Sequence, residues 1–456
     1  MAHIACSLCE AICGLEVQTN ANSVVSIHGD PKDPLSRGHL CPKALALQDI
    51  HEGDRLRTPI RKTPTGWTEI SWTEAFDHTV DHLAKIRKLH GPNAIAVYQG
   101  NPTVHSLGAL THGTSFLNLL NTRNRFSATS VDQLPHQLVA SLMFGHQFKL
   151  PIPDIDRTDH FLIIGANPMV SNGSMMTVPD FANRRKELRT RAGRMIVIDP
   201  RRTETAKIAD EHHFIRPGTD AALLLAMIGV ILENTKGYDE IRPLAVPVDW
   251  AEGVTGLTGI RRLAQEFADA DRAVCYGRTG VSTRRHGLVC QWAIQVLNII
   301  TGNFDRPGGA LFAKPAVDLI RITGKGERDR WRSTVRGLPE FAGELPVSTL
   351  AEEPEIRAMV VSAGNPVLST PDGPRVEQVL QKLDFMVAID PWINETTRHA
   401  DIILPPTTAL ERDHYDLIFH ALAVRNTARF SPAVFPKPSS RRCSPTTRAA
   451  RTPWPR

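Results

Sequence analysis

The sequence predicts an α/β fold with mostly parallel sheets, preceded by a small amino-terminal segment rich in cysteine. Short apolar stretches alternate with helical segments, and each stretch ends in a polar or glycine-containing loop. Near-continuous apolar strands are typical of parallel sheets that are covered on both faces. Two of the strand–loop segments also resemble each other, which indicates an internal duplication.

The amino-terminal segment contains four cysteines. Cys6, Cys9 and Cys13 form a C-x2-C-x3-C group, and Cys41 follows as a fourth thiol. Such thiols hold a [4Fe–4S] cluster or zinc, and the single distant cysteine favours the cluster over the paired C-x2-C motifs of structural zinc. Disulfides, the third alternative, form in oxidising compartments. Residues 1–20 show neither a signal-peptide pattern nor a twin arginine, so we expect reduced thiols and a cytoplasmic location.

Six apolar stretches are predicted as buried strands. They are NAIAVYQG from Asn93, DHFLIIGANP from Asp159, GRMIVIDP from Gly193, RAVCYGRTGV from Arg272, IRAMVVSAGNP from Ile356 and LDFMVAIDPW from Leu383. The apolar run at residues 221–232 is shorter than a membrane span requires and predicts a buried helix. Cys275 and Cys290 lie in apolar contexts, so we expect buried free thiols there.

The duplicated pattern is a strand that ends in Asn-Pro, followed by a strand that ends in Ile-Asp-Pro. It appears as LIIGANPMVSN with MIVIDPRRTETA, and again as MVVSAGNPVLST with FMVAIDPWINETT. Open α/β sheets bind ligands at the carboxyl ends of their strands, where small residues admit a phosphate and a carboxylate suits a ribose or a purine edge. Two nucleotide-like ligands are therefore predicted. The chain has neither G-x-G-x-x-G nor a Walker A lysine, which argues against an ordinary nicotinamide or P-loop site.

The formal charge of +5 belongs to the carboxyl-terminal part of the chain. From Arg425 onward there are eight Lys and Arg and no Asp or Glu, so the preceding residues carry −3. This part contains six prolines, and residues 439–456, which include Cys443, are predicted to be a disordered basic tail. The arginines are not accompanied by the stacked aromatic residues that a single-strand platform requires, so nucleic acid is not an expected partner.

These motifs together resemble the molybdopterin oxidoreductases that carry two pterin guanine dinucleotides, the class of formate dehydrogenases, periplasmic nitrate reductases and dimethyl sulfoxide reductase. The resemblance runs from Cys6 to about Pro438 and rests on the cysteine motif that closes in CPK at Cys41, and on IDPRRTETAKIAD, RPGTDAALLLAM, NIITGNFDRPGG and DPWINETTRHADIILPPTTALERD. It implies a small iron-sulfur domain and two Rossmann-like α/β domains. The implied domains are residues 1–57, residues 58–144 with 315–438, and residues 145–314.

The resemblance also implies the cofactors, namely a [4Fe–4S] cluster and a bis-molybdopterin guanine dinucleotide that holds Mo or W. The four amino-terminal cysteines would ligate the cluster, and Lys43 would lie between it and one pterin as the electron link. The residues implied for the two dinucleotides are Gly165, Asn167, Asp199, Arg201, Gly218, Asp220, Gly280 and Thr283 for one, and Gly364, Asn365, Asp390 and Thr396 for the other.

The molybdenum ligand departs from the formate and nitrate pattern, because NTRNRFSATSVDQLPHQ has no cysteine. The family's spacing puts Asp132 at the ligand position and Pro135 at the following proline. A hard oxygen donor suits molybdenum, and Ser130 is the second candidate. The alternative is that Asp132 caps a helix that begins near Gln133. Gln133 stands where formate dehydrogenases have a histidine, which argues against formate as the substrate.

The implied function is that of a molybdenum-dependent oxidoreductase, which transfers an oxygen atom or two electrons on a small molecule and relays electrons through the cluster to a partner protein or subunit. A molybdenum-free electron-transfer subunit of NADH-quinone dehydrogenase type and a non-catalytic cluster-binding remnant are the alternatives. Family members usually continue into a β-rich domain that covers both dinucleotides. We therefore expect a truncated or frameshifted product with impaired activity. No membrane span is expected.

Overall fold

The amino-terminal part of the chain forms a small antiparallel sheet and one helix. The computed structural model describes residues 1–21 and 23–436, so the predicted tail at 439–456, with Cys443, lies outside the described residues. The elements are β1 (Ala2–Ala5), β2 (Gly14–Thr19), β3 (Val24–Gly29) and α1 (Pro42–Glu52). The strands pair in the order β1-β2-β3. Cys6 and Cys13 lie in the apolar core between this sheet and α1.

The next part of the chain begins a large sheet. Its elements are β4 (Ile60–Thr63), β5 (Gly66–Glu69), α2 (Trp72–His90), β6 (Ile95–Gln99), α3 (Leu107–Leu120), β7 (Arg125–Ser127), α4 (Thr129–Asp132) and α5 (Leu134–Phe144). Helix α2 begins after Ser71, whose hydroxyl accepts from the Glu74 N–H, and ends at Gly91, whose φ is 84°. It therefore returns the chain to the sheet at β6.

The middle of the chain forms a second α/β unit. Its elements are β8 (Ile152–Pro153), β9 (His160–Ile164), α6 (Pro168–Ser171), α7 (Phe181–Thr190), β10 (Arg194–Ile198), α8 (Glu204–Lys207), β11 (Glu211–His213), α9 (Asp220–Glu233), α10 (Val248–Thr255), α11 (Ile260–Asp269), β12 (Ala273–Gly277), α12 (Thr279–Ser282), α13 (Gly287–Ile300) and β13 (Ala310–Leu311). Strands β9–β12 are parallel, in the order β11-β10-β9-β12.

The last part completes the large sheet. Its elements are α14 (Leu319–Ile322), β14 (Arg328–Arg332), β15 (Pro339–Phe341), β16 (Ala358–Ser362), α15 (Pro366–Ser369), α16 (Gly373–Leu380), β17 (Phe385–Ile389), β18 (Ile402–Ile403), β19 (His414–Tyr415) and β20 (Phe430–Ser431). Short 3-10 helices occupy Pro92–Ala94, Asn101–His105, Arg242–Leu244, Val347–Glu352, Thr397–His399, Ala409–Glu411 and Phe419–Leu422. The large sheet has seven strands in the order β5-β4-β18-β17-β16-β6-β7.

All six strands expected from the sequence are present, as β6, β9, β10, β12, β16 and β17. The duplication is confirmed by topology, because β18-β17-β16-β6 in the large sheet repeats the order β11-β10-β9-β12. Both sets of four strands are parallel. The predicted buried helix lies within α9, which packs in the core on one face of the smaller sheet.

The carboxyl-terminal described residues pack on the amino-terminal sheet. The Ala5 N–H donates to the Ser431 hydroxyl at 2.8 Å. Arg429 pairs with Asp30 at 3.0 Å, and the Phe435 ring stacks on His51 with the ring centroids 4.2 Å apart. This part of the basic region is therefore structural. Among the described residues, no helix combines the length and apolar character that a membrane crossing demands.

Candidate functional site

The four amino-terminal cysteines converge on one side of the small sheet. Cys6 follows β1 and Cys13 precedes β2, and the Cys6 N–H donates to the Cys13 carbonyl oxygen at 2.8 Å. Cys41 lies immediately before α1, and its side chain makes no capping hydrogen bond. All four are free thiols, so the disulfide alternative is wrong for these residues.

Mutual electrostatics confirms that the thiols are neighbours. Burial is the main cause that raises the pKa of Cys6 to about 12, and Cys9 and Cys41 contribute to this rise. Burial also raises the pKa of Cys13, with contributions from Cys6, Cys9 and Cys41. Buried thiols of raised pKa are stable as neutral groups, and metal ions are what convert such clusters to thiolates.

The sulfur atoms of the four cysteines do not form the compact set that a single zinc ion requires. Four thiolates around one zinc at a Zn–S distance of about 2.3 Å lie about 3.8 Å from one another. Within residues 1–21 and 23–436, no three of these sulfur atoms lie mutually within 4.8 Å. The described thiols are therefore not gathered as closely as a single tetrahedral zinc ion would hold them. Lys43 is exposed in the first turn of α1, and its charge lowers the pKa of Cys6 and of Cys9, so its ammonium lies on the cluster side.

Asp132 is the last residue of α4, and Arg278 contacts it from the end of β12. The Arg278 Nη1 donates to the Asp132 carbonyl oxygen at 2.6 Å, and Nη2 lies 3.5 Å from Oδ2. The helix-cap alternative is wrong, because Gln133 is the residue before α5 and no side chain caps that helix. The Ser130 hydroxyl accepts from the Val347 N–H at 2.8 Å, so the second ligand candidate already has a protein partner.

One oxygen of Asp132 has no protein partner. Oδ1 is buried and makes no hydrogen bond. Burial raises the pKa of this carboxyl, Arg278 lowers it and Glu10 raises it. A buried unpartnered carboxylate oxygen is costly unless a ligand satisfies it. This oxygen is what a metal ligand at this position requires.

Glu10, which lies between two of the cysteines, connects the cluster loop to the second unit. Its Oε2 accepts from the Met175 N–H at 2.6 Å, and its carbonyl oxygen accepts from the Thr177 hydroxyl at 2.8 Å. The contacted loop is strained, because Asn172, Gly173, Ser174 and Met175 have φ between 54° and 108°. Strain of this kind persists only where surrounding contacts hold it.

The first predicted dinucleotide set lies at the carboxyl ends of β9, β10 and β12. The Gly280 N–H donates to the Gly165 carbonyl oxygen at 2.9 Å, so these two turns touch. Asn167 donates from Nδ2 to Glu204 at 2.7 Å, and its Oδ1 accepts from the Thr205 hydroxyl at 2.8 Å. Asn167 therefore shapes the turn through contacts inside the protein.

The remaining members of that set surround the same edge. Burial raises the pKa of both Asp199 and Asp220, and the negative charge of Asp199 raises the pKa of Asp220 further, so the two carboxyls lie near each other. Arg201 is exposed beside Asp199 and donates its backbone N–H to Oδ1 at 2.8 Å. Gly218 has a φ of 85° and leads into α9. Thr283 is exposed at the end of α12 and donates to the Thr279 carbonyl oxygen.

The second set repeats this arrangement after β16 and β17. Asn365 donates from Nδ2 to Glu395 at 2.7 Å, and its Oδ1 accepts from the Thr396 hydroxyl at 2.6 Å. Gly364 precedes Asn365 and packs against the β6 side, where an added Cβ would lie 2.5 Å from the Tyr98 ring. Burial raises the pKa of Asp390 to about 6. Buried carboxyls at strand ends fit hydrogen-bond donors of a purine edge.

Four residues of this region were not predicted from the sequence. They are Glu10, Arg278, Glu204 and Glu395. The sequence could have indicated Glu204 and Glu395, because each precedes the threonine of a repeated Glu-Thr pair. The indication for Glu10 and Arg278 is weaker. Glu10 is a charged residue inside the cysteine motif, and Arg278 is a charged residue directly after a buried strand.

A cavity of about 360 Å³ lies beside the Asp132 segment. Its lining includes residues from the end of β6, from α4 and α5, from β15 and the chain after it, and from the 3-10 helix Phe419–Leu422. Behind one wall, His105 Nδ1 lies 3.1 Å from a buried oxygen of Asp416. His414 lies 4.0 Å from the same oxygen, and burial lowers its pKa to about 4. His414 therefore lies behind the cavity wall rather than in its lining.

Two family models match the chain. The model described as Molybdopterin oxidoreductase matches residues 55–442, and the model described as Molybdopterin oxidoreductase Fe4S4 domain matches residues 3–52. Together with the thiol spacing and the Asp132 oxygen, these matches support a molybdopterin and a [4Fe–4S] cluster as the cofactors.

Curated relatives and a solved structure agree with these matches. The chain is 27% identical over 450 residues to the F420-dependent formate dehydrogenase subunit alpha of Methanocaldococcus jannaschii, which covers 90% of this chain and 64% of that protein. It is 26% identical over 431 residues to the assimilatory nitrate reductase catalytic subunit of Bacillus subtilis, which covers 83% of this chain and 58% of that protein.

The fold is similar to that of the acetylene hydratase from Pelobacter acetylenicus, with a TM-score of 0.79 and 22% identity over 96% of this chain and 67% of that one. This similarity confirms the predicted multi-domain architecture. The chain spans about three fifths of the length of the two curated relatives.

Proposed function

The chain belongs to the molybdopterin oxidoreductase family, and from this premise we propose that it is a molybdenum-dependent oxidoreductase that acts on a small molecule. Relatives named formate dehydrogenase and nitrate reductase support the reaction class. The observation that carries the proposal is the buried, unpartnered Oδ1 of Asp132 beside Arg278.

The site residues have two proposed roles, which are to bind the cofactors and to control the charge around the metal. Cys6, Cys9, Cys13 and Cys41 would hold the cluster, and the two sets of strand-end residues would hold two pterin guanine dinucleotides. Asp132 is the proposed oxygen ligand to the metal. When bound, the pterin-held metal supplies oxygen-atom or two-electron transfer.

The chain's own contribution is orientation and electrostatics. Arg278 is buried and holds the Asp132 backbone through a 2.6 Å hydrogen bond, so the segment that carries the carboxylate is fixed in place. Glu10 holds the strained loop that carries Ser174, whose hydroxyl accepts from Arg278 Nε at 2.8 Å. The cluster loop and the Asp132 segment are thereby connected through protein contacts alone.

Lys43 is the proposed electron link from the cluster side, supported by its influence on Cys6 and Cys9. An electron-transfer protein or subunit is the proposed redox partner, since one relative is named as an alpha subunit. A cytoplasmic location is part of the same proposal. Cell fractionation tests the location, and co-purification under anaerobic conditions tests the partner.

Metal analysis by plasma mass spectrometry on anaerobically purified full-length chain tests the proposal. About four iron atoms and one molybdenum or tungsten atom per chain are expected from one cluster and one metal centre. Iron without molybdenum or tungsten would contradict the enzyme and favour a cluster-only protein, such as the NADH-quinone dehydrogenase type or a remnant.

Three variants assign the residues. Asp132→Ala should retain iron but lose most of the molybdenum or all turnover, because the metal loses an oxygen donor. Cys13→Ser should lose the cluster signal in low-temperature electron paramagnetic resonance. Cys290→Ser is the matched control, since Cys290 is a buried free thiol in α13 away from the other four. Loss of iron from Cys290→Ser equal to that from Cys13→Ser would overturn the ligand assignment.

A further inference from the structure

The cavity beside the Asp132 segment is lined almost entirely by uncharged side chains. Its polar walls include Gln99, Thr129, Gln133 and Gln137, and Phe341 contributes an apolar surface. Among the described residues that line it, none is Lys, Arg or His, and Glu344 is the one side chain that ionises. A volume of about 360 Å³ is that of a small-molecule site.

An anion in this cavity would lack a counter-charge. Moving a carboxylate or an oxyanion from water into an apolar space costs several kcal/mol unless a cation or several donors compensate it. Two arginines that act on Asp132 and Glu344 already have protein partners. Arg278 donates to Asp132 and Ser174, and Arg125 donates to the carbonyl oxygens of Thr122 and Leu117.

Glu344 is placed to recognise a neutral polar group. Its Oε2 accepts from the Ser127 hydroxyl at 2.5 Å, and its Oε1 has no hydrogen-bond partner among the described residues. Burial raises the pKa of this carboxyl, against opposing contributions from Ser127 and Arg125. A buried protonated carboxyl donates one hydrogen bond, which an uncharged oxygen acceptor can receive.

We propose that the cavity binds an uncharged organic molecule with a polar oxygen, that the Glu344 carboxyl donates a hydrogen bond to this oxygen, and that the lack of a cation among the described lining residues disfavours an oxyanion. The glutamines on the walls supply further uncharged donors and acceptors, and Phe341 covers an apolar body. The identification of this molecule as a substrate rests on the proposed function, whereas its binding does not.

Saturation-transfer NMR on the anaerobically purified full chain tests the binding. Methyl phenyl sulfoxide is the uncharged probe and formate the anionic one, because both carry observable protons. The sulfoxide should show transfer, formate should show none, and added nitrate should not displace the sulfoxide. Tighter binding of formate than of sulfoxide, or displacement by nitrate, would overturn the inference.

Four variants test whether the sulfoxide binds in this cavity and whether Glu344 contributes to its affinity. Ala421→Phe, which fills the cavity from the wall, should abolish the sulfoxide signal. Glu344→Leu should weaken sulfoxide binding about tenfold through one lost hydrogen bond. Glu344→Gln keeps a donor and should remain within about threefold of the unmodified chain. Glu327→Gln, at an exposed glutamate just before β14, is the matched control and should change nothing.

The outcomes distinguish this inference from the proposed function. Thermal unfolding of each variant first confirms that it is folded. If metal analysis finds iron without molybdenum or tungsten, the proposed function fails and the NMR result still decides the cavity. If the metal is present but turnover occurs with nitrate or formate and not with any sulfoxide, the inference fails and the proposed function stands. An unchanged sulfoxide affinity in folded Glu344→Leu also overturns the role of Glu344.

Discussion

The two duplicated units keep the same strand order and the same asparagine-centred turn, yet differ at several corresponding positions, the first of which follows the outer strand. Strands β12 and β6 end in register with β9 and β16, respectively. The next residue is Arg278 in the first unit and Gly100 in the second. Arg278 reaches Asp132, whereas Gly100 borders the cavity. One scaffold therefore provides a cation on one side of the candidate site and open space on the other.

A second difference concerns the aspartate after the middle strand. Asp199 is followed by Pro200 and Arg201, whose charge opposes the effect of burial on the pKa of Asp199. Asp390 is followed by Pro391 and Trp392, and burial raises the pKa of Asp390 to about 6. The duplicated fold thus holds two similar carboxyls, and the residue two positions later changes how readily each ionises.

The largest expected effect comes from filling the space at Gly100. In Gly100→Ala, the new Cβ would lie 1.8 Å from the Ala363 carbonyl oxygen, which is backbone and cannot rotate away. We expect a loss of about 3 kcal/mol or more in the free energy of unfolding. Urea unfolding followed by circular dichroism measures it.

Gly108→Ala is the matched control, because the added Cβ would meet nothing within 4 Å. It lies inside α3, where alanine is the better helix former, so stability should stay equal or rise by up to about 1 kcal/mol. Equal losses in both variants would show that the close approach between β6 and β16 is not rigid.

An intermediate effect is expected when the two aspartates are neutralised. Because the pKa of Asp390 is raised to about 6, the folded protein keeps a proton that the unfolded chain releases above about pH 4. This contribution stabilises the fold fully below about pH 4 and is lost as pH rises through about 6. Asp390→Asn should therefore stabilise the cofactor-free protein by about 2 kcal/mol at pH 7.5 and by little at pH 4.

Asp199→Asn sharpens this comparison. The charge of Arg201 opposes the desolvation of Asp199, so its replacement should give a smaller gain at pH 7.5. Urea unfolding at both pH values gives the two differences. A gain for Asp199→Asn as large as that for Asp390→Asn would mean that Arg201 does not compensate its neighbour.

The smallest effect is expected at the left-handed residue after the first strand of each unit. This residue is Gly165 in the first unit, with a φ of 57°, and Ala363 in the second, with a φ of 49°. The left-handed conformation costs alanine about 1–2 kcal/mol, whereas glycine loses more backbone conformational entropy than alanine when the chain folds. Ala363→Gly should therefore stabilise by about 0.5 kcal/mol in thermal unfolding.

The reverse substitution in the first unit, Gly165→Ala, should not produce an equal and opposite change in stability. In Gly165→Ala the new Cβ would lie 2.9 Å from the backbone of Gly280, so stability should fall despite the similar φ. Gains in both variants would contradict the close contact between the two glycines.

The sequence predicts the features that depend on local pattern. Apolar runs identify the six strands and their loops, and the repeated Asn-Pro and Asp-Pro motifs identify the duplication. The cysteine spacing identifies the thiol group before any fold is known. The assignment of Asp132 depends on family resemblance, because nothing in its local sequence distinguishes a ligand from a helix cap.

The contacts that shape the site could not be predicted, because they join distant segments. Glu10 and Met175 are 165 positions apart, and Arg278 and Asp132 are 146 positions apart. Glu344 and Ser127 are 217 positions apart. Local periodicity carries no information about such pairings, and each charged residue taken alone reads as a surface residue.

The return of the chain to its own beginning affects how the protein is made. Ala5 and Ser431 are 426 positions apart, yet they share a hydrogen bond, and Leu410 and Phe435 complete the core around Cys6 and Cys13. A ribosome that adds roughly 5–20 residues per second needs about 20–90 s to supply those covering residues. During that interval the nascent cysteine loop lacks its final cover, so iron delivery and oxidation compete for it before the protein is complete.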